Sequence, residues 1–210
     1  MPIHYVVQAQ VVDLHADAPR AGDAFFVDTN VWLWTCYAKA TLGMKYQRWQ
    51  QTTGYAGYLN LCSRAGAALH WCGLGLSELA HNIERTEYEV WKGAGHGNEN
   101  TKEFRHNYPA ERLRVVQEIE NAWQGVEALG TVLPAPLVVD HAATTNALAE
   151  YRSLAVDGYD LFFLQAARAS GVTQIISDDG DFCDVSGITL FTSNRSVLMA
   201  AQAQEKLLVR

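Results

Sequence analysis

Five carboxylates stand where a chain could do chemistry. Asp28 follows the apolar run Ala24-Phe-Phe-Val27 and is followed by Thr29-Asn30. Glu78 comes directly after Gly73-Leu-Gly-Leu-Ser77, and Asp160 after Asp157-Gly-Tyr159. Asp179 and Asp181 lie in Ser177-Asp-Asp-Gly-Asp-Phe182, behind the apolar Ile175-Ile176. Clustered carboxylate oxygens suit hard divalent cations such as Mg²⁺ or Mn²⁺. A cation so held can activate water and stabilise charge on a phosphodiester. Without one, the carboxylates would repel each other and any incoming phosphate.

Each acid also has a local structural explanation. Asp28 could cap the helix that follows it. Glu78 would sit in the first turn of a helix capped by Ser77, where its charge suits the helix dipole. Asp157 and Asp160 have the spacing of a capping pair. Residues 178–181 read as a turn, since Asp-Gly is turn chemistry. One shared site accounts for all of these positions at once.

The elements that must position these acids follow from the pattern of the chain. Apolar, β-branched runs predict strands at 3–12, 24–27, 70–76, 173–177 and 188–192, with an extended stretch over 131–139. Helical spacing predicts helices at about 30–41, 58–69, 78–91, 101–129 with a break near Pro109, 140–154, 160–170 and from 194 onward. Strands alternating with helices imply an α/β fold, a three-layer α/β/α arrangement around a mostly parallel sheet. Asp28, Glu78 and Asp179/Asp181 would then emerge on one edge of the sheet, at the carboxyl ends of strands, where open α/β sheets bind ligands. The aromatic section from Tyr46 to Trp71 could stack nucleobases, but it reads first as core or subunit interface.

The chain has 210 residues and fits one domain over 1–210. A net charge of −7 argues against a protein that coats nucleic acid by charge alone. It is compatible with an enzyme whose acidic cluster is neutralised by bound cations. Cys36, Cys62, Cys72 and Cys183 are scattered, and His70-x-Cys72 has no second pair to complete a zinc set. The sequence shows neither a secretory signal nor an apolar run of membrane-spanning length. The expectation is a reduced, cytoplasmic protein with no membrane association.

The segments Phe-Phe-Val-Asp28-Thr-Asn30-Val, Gly-Leu-Ser77-Glu78-Leu-Ala, Asp160-Leu-Phe-Phe-Leu-Gln-Ala-Ala-Arg-Ala-Ser-Gly171 and Ile-Ile-Ser177-Asp-Asp179-Gly-Asp181-Phe resemble the motifs of the PIN-domain family. They occur in that family's order. The family includes the ribonuclease toxins of bacterial toxin–antitoxin pairs. The resemblance implies a PIN-like fold carrying an N-terminal strand extension over 1–22 and a helical insertion over about 92–135. It implies that Asp28, Glu78, Asp160 and Asp179 are the catalytic quartet that ligates Mg²⁺ or Mn²⁺, with Asp181 supporting the last metal position. Asn30 and Ser177 would orient the carboxylates by hydrogen bonds. Arg168 and Arg85 are candidates for contact with RNA phosphates, or equally for structural ion pairs.

The implied reaction is hydrolysis of RNA by water, in line at phosphorus, leaving 3′-hydroxyl and 5′-phosphate ends. The implied partners are an RNA substrate, an antitoxin protein if the chain is a toxin, and a second copy of the chain. Two other readings stand beside it. One is a catalytically silent PIN-like scaffold that binds RNA or a protein. The other is a phosphatase of the haloacid-dehalogenase type, which would want Asp-x-Asp after the first strand, where this chain has Asn30.

Overall fold

A computed structural model describes residues 3–210; residues 1 and 2 of the expected N-terminal extension lie outside it. The elements in chain order are β1 (Gln10–Asp13), β2 (Ala24–Val27), α1 (Thr29–Cys36), α2 (Tyr46–Ala65), β3 (Ala68–Trp71), α3 (Leu74–Gly93), α4 (Thr101–Asn107), α5 (Pro109–Leu129), β4 (Thr131–Val132), α6 (His141–Glu150), α7 (Gly158–Ala169), β5 (Gln174–Ile176), a 3-10 turn (Gly180–Asp184), β6 (Thr189–Thr192) and α8 (Arg195–Ala203). The strands form one six-stranded sheet in the order β1-β6-β5-β2-β3-β4. Every pairing is parallel, with Phe26 opposite Ile175 on one side and His70 on the other.

A parallel sheet buried on both faces needs apolar residues at successive positions, and β2, β5 and β6 supply them. Phe25, Val27, Ile176 and Phe191 pack into one core with Tyr55, Tyr58, Leu59, Leu79 and Ile83. Their neighbours Phe26, Ile175 and Leu190 pack into the other with Leu161, Phe163, Leu164 and Val197. Helices α1, α2, α3 and α5 thus cover one face while α7 and α8 cover the other. This is the expected three-layer α/β/α arrangement, with a sheet that is parallel throughout.

The two segments expected as additions both contribute strands to the sheet. The N-terminal segment supplies β1, an edge strand beside β6. The stretch expected as an insertion supplies α4, α5 and the opposite edge strand β4, which pairs with β3. Pro109 occupies the first position of α5, where its missing N–H costs nothing, so the long charged helix divides there. Helices α4 and α5 are clamped to α3 by Glu84, a buried carboxylate that accepts from Arg105 Nε at 2.6 Å and Arg112 Nη1 at 3.2 Å.

Several boundaries differ from the sequence reading. Of the strand expected over 3–12, only Gln10–Asp13 pairs. The first helix stops at Cys36 because Tyr37 turns into the core, its hydroxyl donating to Glu87 Oε1 at 2.6 Å. Helix α2 begins at Tyr46, twelve residues before the expected start, and carries Gly54 and Gly57 in its interior. Gly54 is a close approach, since an added Cβ would collide with the His15 ring. The helix ends on Gly66, whose left-handed φ of 75° lets its N–H reach the carbonyls of the last turn. Strand β3 ends at Trp71, and α3 begins at Leu74 with Gly73 as its N-cap. Ser77 therefore lies inside the helix and caps nothing.

The four cysteines are free thiols. No helix among the described residues is long and apolar enough to cross a membrane.

Candidate functional site

Successive strands move outward from β2 through β3 to β4 on one side, and from β5 to β6 on the other. The order therefore reverses between the adjacent strands β2 and β5. Beyond the carboxyl ends of two such strands lies the crevice where parallel sheets bind ligands. Asp28 follows β2 there, and Ser177 to Asp181 follow β5.

Asp28 is 3% exposed. It occupies the N-cap position of α1, yet its side chain makes no capping bond. Its Oδ2 instead accepts from Ser177 Oγ at 2.5 Å and from Asn30 Nδ2 at 2.6 Å. Ser177 Oγ in turn accepts from the Asp179 N–H at 2.9 Å. Asn30 and Ser177, singled out from the sequence, thus both hold Asp28 and tie it to the turn carrying Asp179.

Asp160 lies in the first turn of α7 and is 6% exposed. The cap of that helix is Asp157, whose Oδ1 accepts from the N–H groups of Tyr159 and Asp160 at 2.9 and 3.1 Å. Capping thus accounts for Asp157 and leaves the Asp160 carboxylate unexplained. Glu78 enters from the second turn of α3. Gly75 lets that helix come close, since an added Cβ would press on the Thr29 hydroxyl at 3.2 Å. Glu78 Oε2 is buried without a hydrogen-bond partner among the described residues, and so is Asn30 Oδ1. Asp179 caps the 3-10 turn, accepting from the Asp181 N–H at 2.9 Å.

The electrostatics show that these groups share one field. Burial raises the Asp28 carboxyl, with the Glu78 and Asp179 charges adding to it against the Ser177 hydrogen bond. Burial raises Asp160 still more strongly, and Asp28, Asp157, Asp179 and Glu78 all add. Glu78 is raised by burial and by Asp157 and Asp179, against the Thr29 hydroxyl and His81. Asp181 is pushed up to about 6 by burial and the charges of Asp179, Asp157 and Asp184.

The chain's other buried acids are treated differently. Asp23 meets Arg210 at 2.9 Å, Asp178 meets Arg48 at 2.9 Å, and Glu84 is clamped by Arg105 and Arg112. Asp28 and Asp160 have no such cation among the described residues. An unpaired buried charge is costly, and here two stand beside further acids. Oxygen donors in excess of positive charge are the donor chemistry of a hard divalent cation. No three His, Cys, Asp or Glu side chains among the described residues close around one point as a ready-made cage. Mg²⁺ keeps several waters and binds through one or two carboxylates rather than an all-protein cage, and Asp28 and Asp160 supply that number of deep ligands.

Arg168 Nη1 bonds Glu150 Oε1 at 2.8 Å and joins α7 to α6, a structural ion pair. Arg85 is exposed on α3, two turns beyond Glu78. Sequence reasoning missed two contributors. Asp157 appeared only as a cap, although its charge acts on Asp160, Glu78 and Asp181. Tyr5 packs against Gly180, where any Cβ would overlap its hydroxyl and ring. Nothing in the local sequence around Tyr5 points to that contact.

Two outcomes follow. In EDTA, the fold keeps protons on Asp28 and Asp160 at pH values where the unfolded chain, with pKa 3.8, has released them. The folded state then binds more protons, so stability falls as pH rises from about 4 through the raised values. Calorimetry in EDTA should give a higher Tm at about pH 5 than at about pH 8; a Tm that rises over that interval would show the two carboxylates to be ionised in the fold. Gly180→Ala should cost about 1–3 kcal/mol by overpacking, and Tyr5→Ala in the same chain should recover most of it. A lone Gly180→Ala with unchanged denaturant midpoint would contradict the contact.

Compared with family models, curated proteins and solved structures, the chain finds no significant match.

Proposed function

We propose that the chain is a cytoplasmic, metal-dependent ribonuclease of PIN type that hydrolyses RNA phosphodiester bonds at the β2/β5 crevice. The observation that carries this reading is the contrast among the buried acids. Three are each matched by an arginine, while Asp28 and Asp160 are left uncompensated at the switch point of the sheet. The resemblance of the surrounding segments to PIN motifs supplies the reaction class.

Asp28 and Asp160 would hold a Mg²⁺ or Mn²⁺ ion, with Glu78, Asp179 and Asp181 as the further carboxylates of the same field. The ion supplies water activation and stabilises charge at phosphorus. Ser177 and Asn30 keep Asp28 in one orientation, which fixes the direction in which its free oxygen faces the substrate. Glu78 Oε2 has no protein partner to give up before it accepts from an attacking water or a ligand. The products would carry 3′-hydroxyl and 5′-phosphate ends. A toxin held by an antitoxin protein is the form of such an enzyme that the resemblance suggests, with a homodimer as its assembly. The phosphatase reading fits less well, since Asn30 is spent on Asp28 and offers no second carboxylate.

The test is cleavage of total RNA and of structured tRNA by purified protein with Mg²⁺, with Mn²⁺ and with EDTA. The expected result is cleavage with either ion, none in EDTA, and 5′-phosphate ends. Cleavage that persists in EDTA would sink the metal-dependent reading. RNA retention with no cleavage under any metal condition would select the silent scaffold, the second reading.

A further inference from the structure

Residues 5–9 precede β1 and pair with no strand among the described residues, yet they are tied down on two sides. On one side Gln204, the C-cap of α8, holds their backbone with both ends of its amide. Its Nε2 donates to the Tyr5 carbonyl and its Oε1 accepts from the Val7 N–H, each at 2.9 Å. Glu205 follows with a left-handed φ of 56°, a conformation that costs any residue bearing a Cβ. That turn brings Lys206 back to β1, where its carbonyl accepts from the Val11 N–H at 2.9 Å. On the other side the Cys183 carbonyl accepts from the Gln8 and Ala9 N–H groups at 2.8 and 3.0 Å. Val7 and Ala9 are buried in the same core as Phe182 and Cys183.

The segment is thus a strap from α8 to the 3-10 turn, which contains Asp181 and is capped by Asp179. Two of its side chains reach into the acid-bearing loops. Gln8 Nε2 donates to Asp184 Oδ1 at 2.8 Å, while Asp184 Oδ2 accepts from the Ala155 N–H at 3.2 Å. Ala155 leads into Asp157, the cap of the helix whose first turn carries Asp160. Tyr5 lies over the buried Gly180, and the atoms that a Cβ there would first meet all belong to Tyr5. With no Cβ, glycine leaves the backbone between Asp179 and Asp181 free to rotate unless a side chain packs on it. The like charges of Asp179, Asp181 and Asp184 on this short turn oppose one another, so the turn needs an outside hold.

We propose that Tyr5, held by Gln204, is a positioning residue for Asp179 and Asp181: its ring fixes the Gly180 backbone and with it the placement of the two carboxylates. The proposal rests on reading the crevice as a cation site. It gives the segment ahead of β1 a part in that site, whereas the PIN-like motifs begin at Phe25 and assign it nothing.

The test pairs Mn²⁺ titration calorimetry with amide exchange in EDTA, on wild type, Tyr5→Ala, Tyr5→Phe and Gln204→Ala. The exchange reporters are the Asp179 and Asp181 amides, held by Ser177 Oγ and Asp179 Oδ1 at 2.9 Å. Tyr5→Ala should weaken Mn²⁺ binding about tenfold and speed exchange at these two amides, while those of β2 and β5 stay protected. Tyr5→Phe, which keeps the ring, should restore both readouts. Gln204→Ala, an exposed change, should shift both toward Tyr5→Ala, because it frees the backbone that carries the ring.

A Tyr5→Ala variant that binds Mn²⁺ like wild type would overturn the proposal and leave the cation site standing. So would a Tyr5→Phe variant that behaves like Tyr5→Ala. Faster exchange spread equally over β2 and β5 would overturn it too, since Tyr5 would then serve the fold as a whole. No Mn²⁺ binding by wild type would remove the cation site, and exchange in EDTA would still decide the strap. Faster exchange confined to the turn would uphold Tyr5 as the hold on the two acids, and unchanged exchange would overturn it.

Discussion

The Asp28→Asn variant is expected to lose metal-dependent RNA cleavage by on the order of 10³-fold, yet to melt no lower than wild type in EDTA. The two effects have one cause. Asp28 is buried beside Asp160, Glu78 and Asp179, with no cation among the described residues to offset it. An amide of the same shape removes one charge from that field, and its oxygen still accepts from Ser177 Oγ and Asn30 Nδ2. Stability is therefore kept or gained, while the ligand that would hold a cation is weakened. Sites where activity and stability pull apart are the signature of function held against folding. Cleavage rates and calorimetric Tm values on the same preparation check it. A variant that loses several degrees in EDTA would show Asp28 to be part of the structural framework instead.

Arg210→Ala should be the most destabilising single change, about 3–5 kcal/mol. The Arg210 guanidinium bonds Asp17 at 2.7 Å through Nε and Asp23 at 2.9 Å through Nη2, and it lies 4.5 Å over the Phe191 ring. The Asp17 side chain is fully enclosed and also accepts from the Tyr58 hydroxyl. Removing the arginine leaves two carboxylates buried without a counter-ion. Burial would raise Asp23, but its hydrogen bonds, from Arg210 first, bring it down from 3.8 to about 2. A depressed carboxyl contributes stability above its unfolded pKa and loses it as pH falls toward the folded one. The difference between wild type and variant should therefore be largest near neutral pH and shrink from about pH 4 toward about pH 2. Urea unfolding across that range tests it. A constant difference would assign the effect to packing against Phe191 rather than to charge. Arg210→Lys should recover only part, because an ammonium cannot bond both carboxylates in a planar fork.

The parts of this molecule that could be read from the sequence are those with a local cause. Asp28 and Ser177 could be placed at strand ends because Phe25, Phe26 and Val27, and Ile175 and Ile176, are apolar runs that only a buried strand explains. Pro109 could be read as a helix break because proline lacks the N–H. Asp140 and Asp157 could be read as caps, and their side chains do accept from helix N–H groups. The parts that could not be read depend on what lies across the fold. Gly54 sits inside α2, where glycine is a poor helix former, and only the close approach of His15 accounts for it. Ser77 looked like a cap, yet Leu74 and Leu76 extend the helix backward and Gly73 takes its place. The region over 92–135 looked like an added lobe, and its strand β4 completes a sheet edge by pairing with His70 and Trp71, far back in the chain. Asp178 and Asp179 are neighbours with the same local look. Arg48, Gln51 and Tyr55, all brought by α2, hold the first in a structural role and leave the second to the crevice.

The most direct measurement is titration calorimetry of Mn²⁺ into the metal-free protein at about pH 7, in two buffers that differ in ionisation enthalpy, beside the Asp28→Asn/Asp160→Asn variant. Raised carboxyls must release protons when a cation takes their oxygens. The expected result is saturable binding by wild type, with a heat that depends on the buffer, and neither in the variant. Binding of equal strength in wild type and variant, or no binding to wild type at all, would contradict the claim that this crevice is a cation site.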